Sequence, residues 1–212
     1  MDEADTRRLL VALAASLFAR GYAVGSAGNI SVRLSNGDGF LITPTNSCLG
    51  RLDPARIARL DAAFEPVGGD TPSKEVFMHR AFYAARPDAG AVVHLHSTMA
   101  TAVACLPDLD PANPIPPLTP YFVMRIGRRM PLVAYHRPGD PAIEPAIRAA
   151  ARDARAVLLA NHGPVVSGKT LTDAVYAAEE LEEAAKLFLL LRGAGSRLLT
   201  PAQVDDLVAT FG

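Results

Sequence analysis

His94 and His96 stand two residues apart in the run Ala91-Val92-Val93-His94-Leu95-His96, whose branched apolar residues favour an extended strand. Side chains alternate across a strand, so both imidazoles take one face while Val93 and Leu95 take the other. Two neutral imidazoles on one face make a chelating pair. Imidazole is the commonest neutral ligand of zinc, and a catalytic zinc takes about three protein ligands and keeps a position open. His162 offers a third ring, just past the apolar run Ala156 to Ala160 and directly before Gly163, where the backbone is free to turn sharply. Glu75, beside Lys74 at the start of a helical pattern, offers a carboxylate able to bind the metal and to act as base once substrate displaces it.

Each of these residues also has a plainer role. A histidine alone in a strand suits a hydrogen-bonded core position, Glu75 suits the positive end of a helix, and His162 suits a turn. His79, one helical turn beyond Glu75, reads as an exposed histidine or one that supports a ligand. His136, in His136-Arg137-Pro138-Gly139, reads as loop. Cys48 and Cys105 are far apart, form no CxxC pair and have no evident base beside them. They read as inert, with neither a disulfide nor a thiolate zinc site implied.

Bringing these groups together requires strand ends that meet, and the chain has the pieces. An opening helix is expected with Asp5 or Thr6 at its cap, Leu9, Leu10, Leu13 and Leu17 on its apolar face, and Gly21 after its last turn. Asn29 to Leu34 and Phe40 to Thr43 read as strands joined by a hairpin turn at Asn36-Gly37-Asp38-Gly39. Pro44 to Gly50 reads as a polar loop, Asp53 to Leu60 as a short helix and Gly68-Gly69-Asp70 as a turn. A helix over Ser73 to Arg86, with Pro72 near its first turn, precedes a strand over Gly90 to His96 and a helix from Ser97 through Leu106. Pro107 to Pro120 is too rich in proline for anything but an ordered loop. Leu132 to Tyr135 reads as a strand, Pro141 to Arg152 as a helix and Ala156 to Ala160 as a buried strand. A long helix capped by Thr170 or Thr172 runs through Leu191, with Glu179, Glu180, Glu182 and Glu183 as its solvated face. Thr200-Pro201-Ala202-Gln203 opens a last helix with a capping box. Hairpins mixed with strand-helix units argue for an α/β sheet layered with helices.

The whole chain sets outer bounds. Its 212 residues, 50% hydrophobic and 20% charged, with no repeat and no dividing linker, suit one domain over 1–212. A formal charge of -1 and no lysine or arginine run argue against nucleic-acid partners. No apolar run reaches the ~18 residues of a membrane span, and Asp2, Glu3 and Asp5 spoil the basic flank a signal peptide needs. A soluble protein of the reducing cytoplasm is expected.

Taken together, five segments carry a resemblance. Gly28-Asn29-Ile30-Ser31, Ile42-Thr43-Pro44-Thr45, Pro72-Ser73-Lys74-Glu75 with His79, His94-Leu95-His96-Ser97 and Asn161-His162-Gly163-Pro164 follow the order and spacing of the class II aldolase and adducin family, and the likeness covers nearly the whole chain. Within that family Lys74, the proline-rich run into Leu118-Thr119-Pro120-Tyr121, Arg137-Pro138-Gly139-Asp140 and Glu179-Glu180-Leu181-Glu182 resemble the 3-oxo-tetronate 4-phosphate decarboxylases. Sugar-phosphate aldolases of the fuculose, rhamnulose or ribulose type, which usually carry serine where Lys74 stands, are the alternative. Adducin-like scaffolds are a second, and they are expected to lack parts of the metal set.

The resemblance implies a three-layer α/β/α fold about a mainly antiparallel sheet. It implies one Zn2+ or other divalent ion per subunit, held by His94, His96 and His162 with Glu75 as fourth ligand or acid/base. It places a substrate phosphate among Ser26, Asn29, Thr43, Ser73 and Lys74, and makes Tyr121 a proton donor that reaches a neighbouring subunit's site. The implied partner is a phosphorylated sugar acid, and the implied assembly a homotetramer with sites between subunits. Loss of the carboxyl group as CO2 would leave a zinc-stabilised enediolate of dihydroxyacetone phosphate, which needs only a proton.

Overall fold

The computed structural model describes residues 1–35 and 37–211. Its strands are β1 (Asn29–Arg33), β2 (Phe40–Ile42), β3 (Ala58–Leu60), β4 (Pro66–Gly68), β5 (Ala91–His94), β6 (Leu132–Val133), β7 (Ala156–Leu159) and β8 (Gly163–Gly168). They form one sheet in the order β4-β3-β2-β1-β5-β8-β7-β6. Neighbours pair antiparallel except β6 and β7, which are parallel.

Alternation along the strands decides the layers, because successive side chains leave opposite faces of the sheet. Ile30, Val32, Val93, Leu158 and Val166 pack beneath α1 (Glu3–Ala19), α3 (Thr98–Ala104), α4 (Pro120–Arg125), α6 (Leu171–Leu191) and α7 (Pro201–Phe211). Phe40, Ile42, Val92, Val157 and Val165 pack beneath α2 (Val76–Ala85) and α5 (Glu144–Ala151). The result is the expected three-layer α/β/α arrangement with a mainly antiparallel sheet. Arg80 of α2 reaches both carboxylate oxygens of Glu144 on α5, at 2.9 and 2.6 Å, and this paired contact joins the two helices of the thinner layer. Among the described residues, no helix is long and apolar enough to cross a membrane.

Several boundaries differ from expectation, each for a local reason. Asp2, not Asp5 or Thr6, caps α1, its Oδ1 accepting from the Asp5 amide at 2.7 Å. The expected helix from Asp53 to Leu60 is a 3-10 turn over Pro54–Arg56 followed by β3. Asp53 caps that turn, but Phe40 opposite Leu60 holds the rest in the sheet, so pairing overrides local propensity. β4, β8 and α4 were not expected; α4 begins at the end of the proline-rich loop, where Thr119 caps it and Pro120 takes its first position. Helix α2 starts at Val76, later than expected, because Pro72 is engaged in a bridge with Pro44. Residues Pro141–Ile143 form a 3-10 turn before α5. Of the hairpin turn, Asn36 lies outside the described residues; the strands it joins do pair, with Ser31 opposite Ile42.

The glutamates of α6 are not a uniform solvated face. Glu179 pairs with Arg20, and burial raises the Glu180 carboxyl above its usual range. Glu182 accepts from the backbone amides of Met99 and Ala100 at 2.7 and 2.9 Å. A carboxylate from α6 thus closes the N-terminus of α3, the helix that follows His96. The capping box at Thr200 and Gln203 forms as expected, with reciprocal bonds of 2.9 and 3.3 Å.

Candidate metal centre

Strand register brings the histidines to one end of the sheet. β5 lies between β1 and β8, with His94 opposite Asn29 on one side and Val165 on the other. The connection from β7 to β8 passes through Asn161, held at φ 56, and His162, then into Gly163 at φ 152. A Cβ on Gly163 would lie 2.4 Å from the Leu95 carbonyl oxygen. Only glycine lets β8 pass that close to the Leu95-His96 backbone, and this approach sets His162 beside His96. Gly28 does the same before β1, where an added Cβ would meet the His94 carbonyl oxygen at 2.9 Å. Alanine at Gly163 is expected to destabilise the protein by more than about 1 kcal/mol, lowering Tm by at least about 3 °C. An unchanged melting curve for Gly163→Ala would contradict this account of the turn.

The three imidazoles converge through the same ring atom. His94 Nε2 and His162 Nε2 each lie 3.0 Å from His96 Nε2, and the rings meet edge to face with centroids 4.7 to 4.9 Å apart. His94 Nδ1 sits 2.9 Å from the Pro164 carbonyl oxygen. A carbonyl only accepts, so Nδ1 carries the hydrogen and Nε2 presents a lone pair to the centre of the cluster. Burial pushes the His94 imidazole well below its ordinary pKa, with His162 and His96 adding to the shift. Burial lowers His96 and His162 as well. Uncharged rings near neutral pH are the form that binds metal.

The donor set fits a cation. Ligand nitrogens on a tetrahedral zinc at ordinary bond lengths are separated by about 3.3 Å, close to the spacings found here. In the tautomer that His94 adopts, Nε2 turns a lone pair toward the other two rings, an arrangement that a positive charge between them favours. His94, His96 and His162 are therefore able to hold a metal ion.

Glu75 completes the surroundings. It sits at the position before the first turn of α2, yet its side chain does not cap that helix. Oε2 lies 3.7 Å from His94 Nε2 and Oε1 lies 3.7 Å from His162 Nε2. Asn29 Nδ2 donates to Oε2 at 2.8 Å, and the Ser73 hydroxyl accepts from the Glu75 amide at 3.2 Å. The carboxylate is buried and faces two of the three rings.

A cleft of about 360 Å³ opens from this centre. Of the expected phosphate-holding residues, Ser26, Asn29, Ser73 and Lys74 line it, together with Glu75, His96 and His162. Thr43 does not: it is fully buried, and its hydroxyl accepts from the Ile30 amide at 3.1 Å. Tyr121 is 65% exposed on α4 and is not part of the cleft wall. Asn46 is, at φ 54; the only signal for it was an asparagine, a residue tolerant of left-handed backbone, inside a small polar loop. His79 is fully buried rather than exposed, and it touches Asn29 rather than Glu75. His136 is half-buried in a loop, and Cys48 and Cys105 are free thiols.

Residues 8–189 match the class II aldolase and adducin N-terminal domain, and the chain belongs to that family. It is 49% identical over 207 residues to the 3-oxo-tetronate 4-phosphate decarboxylase of Haemophilus influenzae, covering 98% of each chain. It is 50% identical over 205 residues to the protein of that name from Escherichia coli K12, covering 97% of this chain and 96% of the relative. The crystal structure of YgbL from Escherichia coli superposes with a TM-score of 0.92 at 49% identity, over 97% of this chain and 98% of that one.

Proposed function

We propose that this chain, a single domain over 1–212, is a metal-dependent carboxy-lyase that converts 3-oxo-tetronate 4-phosphate to dihydroxyacetone phosphate and CO2. The observation that carries the reading is the meeting of three Nε2 atoms at 3.0 Å spacings beneath a carboxylate and a lysine-lined cleft. Near-full-length likeness to proteins named for that reaction supports the choice of substrate. A complete metal set argues against a non-catalytic scaffold.

His94, His96 and His162 hold Zn2+, with Glu75 as fourth ligand or acid/base. An ion held there would supply Lewis acidity at the substrate's ketone. The protein does the rest. Ser26, Ser73, Asn29 and the Lys74 ammonium line the wall that receives the anionic ends of the substrate, where a point charge and small donors suit phosphate or carboxylate.

When the bond to the carboxyl carbon breaks, its electron pair stays on the substrate carbon next to the ketone, and a proton must reach that carbon. Asn29 holds Glu75 Oε2, leaving Oε1 as the oxygen open to carry that proton. Tyr121, exposed on α4, is the alternative donor, reaching a neighbouring subunit's cleft in a homotetramer of the cytoplasm.

Incubation of the zinc-loaded protein with 3-oxo-tetronate 4-phosphate and, separately, with ketose 1-phosphates tests the reading. CO2 and dihydroxyacetone phosphate are expected from the first and no cleavage from the second. Aldehyde release from a ketose 1-phosphate without CO2 from the acid would reject the decarboxylase in favour of an aldolase.

A further inference from the structure

Behind Glu75 and Asn29, both of which line the cleft, runs a line of polar side chains that are not part of its wall. Tyr83 Oη lies 2.9 Å from Ser31 Oγ, Ser31 Oγ lies 2.7 Å from His79 Nδ1, and His79 Nε2 lies 2.5 Å from Asn29 Oδ1. Asn29 Nδ2 then reaches Glu75 Oε2 at 2.8 Å. All five residues are buried. Phe40 and Arg33 pack against the Tyr83 ring, at 4.6 and 4.9 Å from its centroid, and fix the far end.

The chemistry of the groups gives this line one direction. A carboxylate only accepts, so the Asn29 amide must turn its NH2 toward Glu75 and its oxygen toward His79. That oxygen requires a hydrogen on His79 Nε2. A neutral imidazole carries one hydrogen, which makes Nδ1 an acceptor for the Ser31 hydroxyl, and Ser31 in turn accepts from Tyr83. Burial holds the His79 pKa down to about 3, so the ring stays neutral and the pattern does not reverse. A flipped amide would set its oxygen against the carboxylate and leave two acceptors facing each other, a costly arrangement where water does not enter.

We infer that Tyr83, Ser31 and His79 are positioning residues that lock the Asn29 amide and, through it, the rotation of the Glu75 carboxylate between His94 and His162. With Oε2 held, Oε1 keeps a fixed aim at the reacting carbon. The inference rests on Glu75 as the proton carrier of the proposed reaction. It assigns His79 neither to the metal nor to the substrate.

Two measurements test it. The first needs no activity: 15N spectra of histidine-labelled protein read the tautomer of His79, and hydrogen on Nε2 is expected. Hydrogen on Nδ1, or a doubly protonated ring, overturns the relay. Absence of CO2 release by the wild type would defeat the decarboxylase reading and leave this spectrum interpretable.

The second uses Ser31→Ala, which removes one buried hydroxyl from a strand and spares the fold in a way that replacing His79 does not. A fall of about tenfold in kcat is expected, with KM and metal content unchanged, and a smaller fall for Tyr83→Phe. In a Glu75→Gln background Ser31→Ala should change the residual rate by less than about twofold, because the group it positions is already gone. Undiminished kcat in Ser31→Ala overturns the inference. So does an equal loss in both backgrounds, or a loss that follows metal content, since either marks a merely structural effect.

Discussion

Alanine in place of His94 is expected to empty the site of metal and to lower the decarboxylation rate by on the order of a thousandfold or more, equivalent to roughly 4 kcal/mol of transition-state stabilisation. His94 is the most enclosed of the three rings: it is fully buried and oriented by the Pro164 carbonyl. Its loss removes a ligand and one of the two donors to that carbonyl, which keeps the Leu95 amide at 3.3 Å, so the lost hydrogen bond costs about 0.5–1.5 kcal/mol. A protein of ordinary stability, roughly 5–15 kcal/mol, survives that. The variant should therefore keep its circular dichroism and lose its metal by atomic emission. His162→Ala should behave alike with less effect on stability, since its ring is only partly buried. Full activity with undiminished metal in either variant would refute the ligand assignment.

Glu75→Gln separates proton transfer from metal binding. The amide keeps the shape of the side chain and still offers Asn29 an acceptor, so the wall of the cleft should stand. What disappears is the group able to take and give a proton, and losses of about 10²–10⁴ in kcat follow when such a group is removed. Metal should remain bound to the three imidazoles, with KM little changed. Unchanged kcat would mean that Glu75 is structural, while loss of metal in step with activity would make it chiefly a ligand.

The chain disclosed its candidate metal ligands more readily than the route by which they meet. His94 and His96 were legible because alternation along one strand puts both on one face, and the glycine after His162 marked a turn. The structure realises this differently in detail: β5 ends at His94, and His96 reaches the cluster from just beyond the strand. Hairpins mixed with strand-helix units argued for a sheet layered with helices and the resemblance implied three layers, but neither signalled β4 or β8. β4 (Pro66–Gly68) is three residues long, and its pairing with β3 is a tertiary fact with no local signature. β8 begins with Gly163 and Pro164, residues that read as turn until a neighbouring strand is there to pair with them.

Burial was the property hardest to read. His79 has the spacing of a residue that faces Glu75 across one helical turn, yet it lies fully enclosed and touches Asn29. Glu182 has the composition of a solvated helix face, yet its carboxylate closes the start of α3. In both cases the partner comes from a segment far away in the chain. Thr43 shows the converse, since the resemblance gave its hydroxyl a phosphate contact and the structure sets it in the core against the Ile30 amide.

The most direct test of the account titrates metal-free protein with Zn2+ and records CO2 released from 3-oxo-tetronate 4-phosphate at each step. Release should be absent at the start, rise in proportion to bound ion and level off at one ion per chain. CO2 release by the metal-free protein, or a fully loaded protein that releases none, would contradict the claim that an ion held by the three imidazoles drives the reaction.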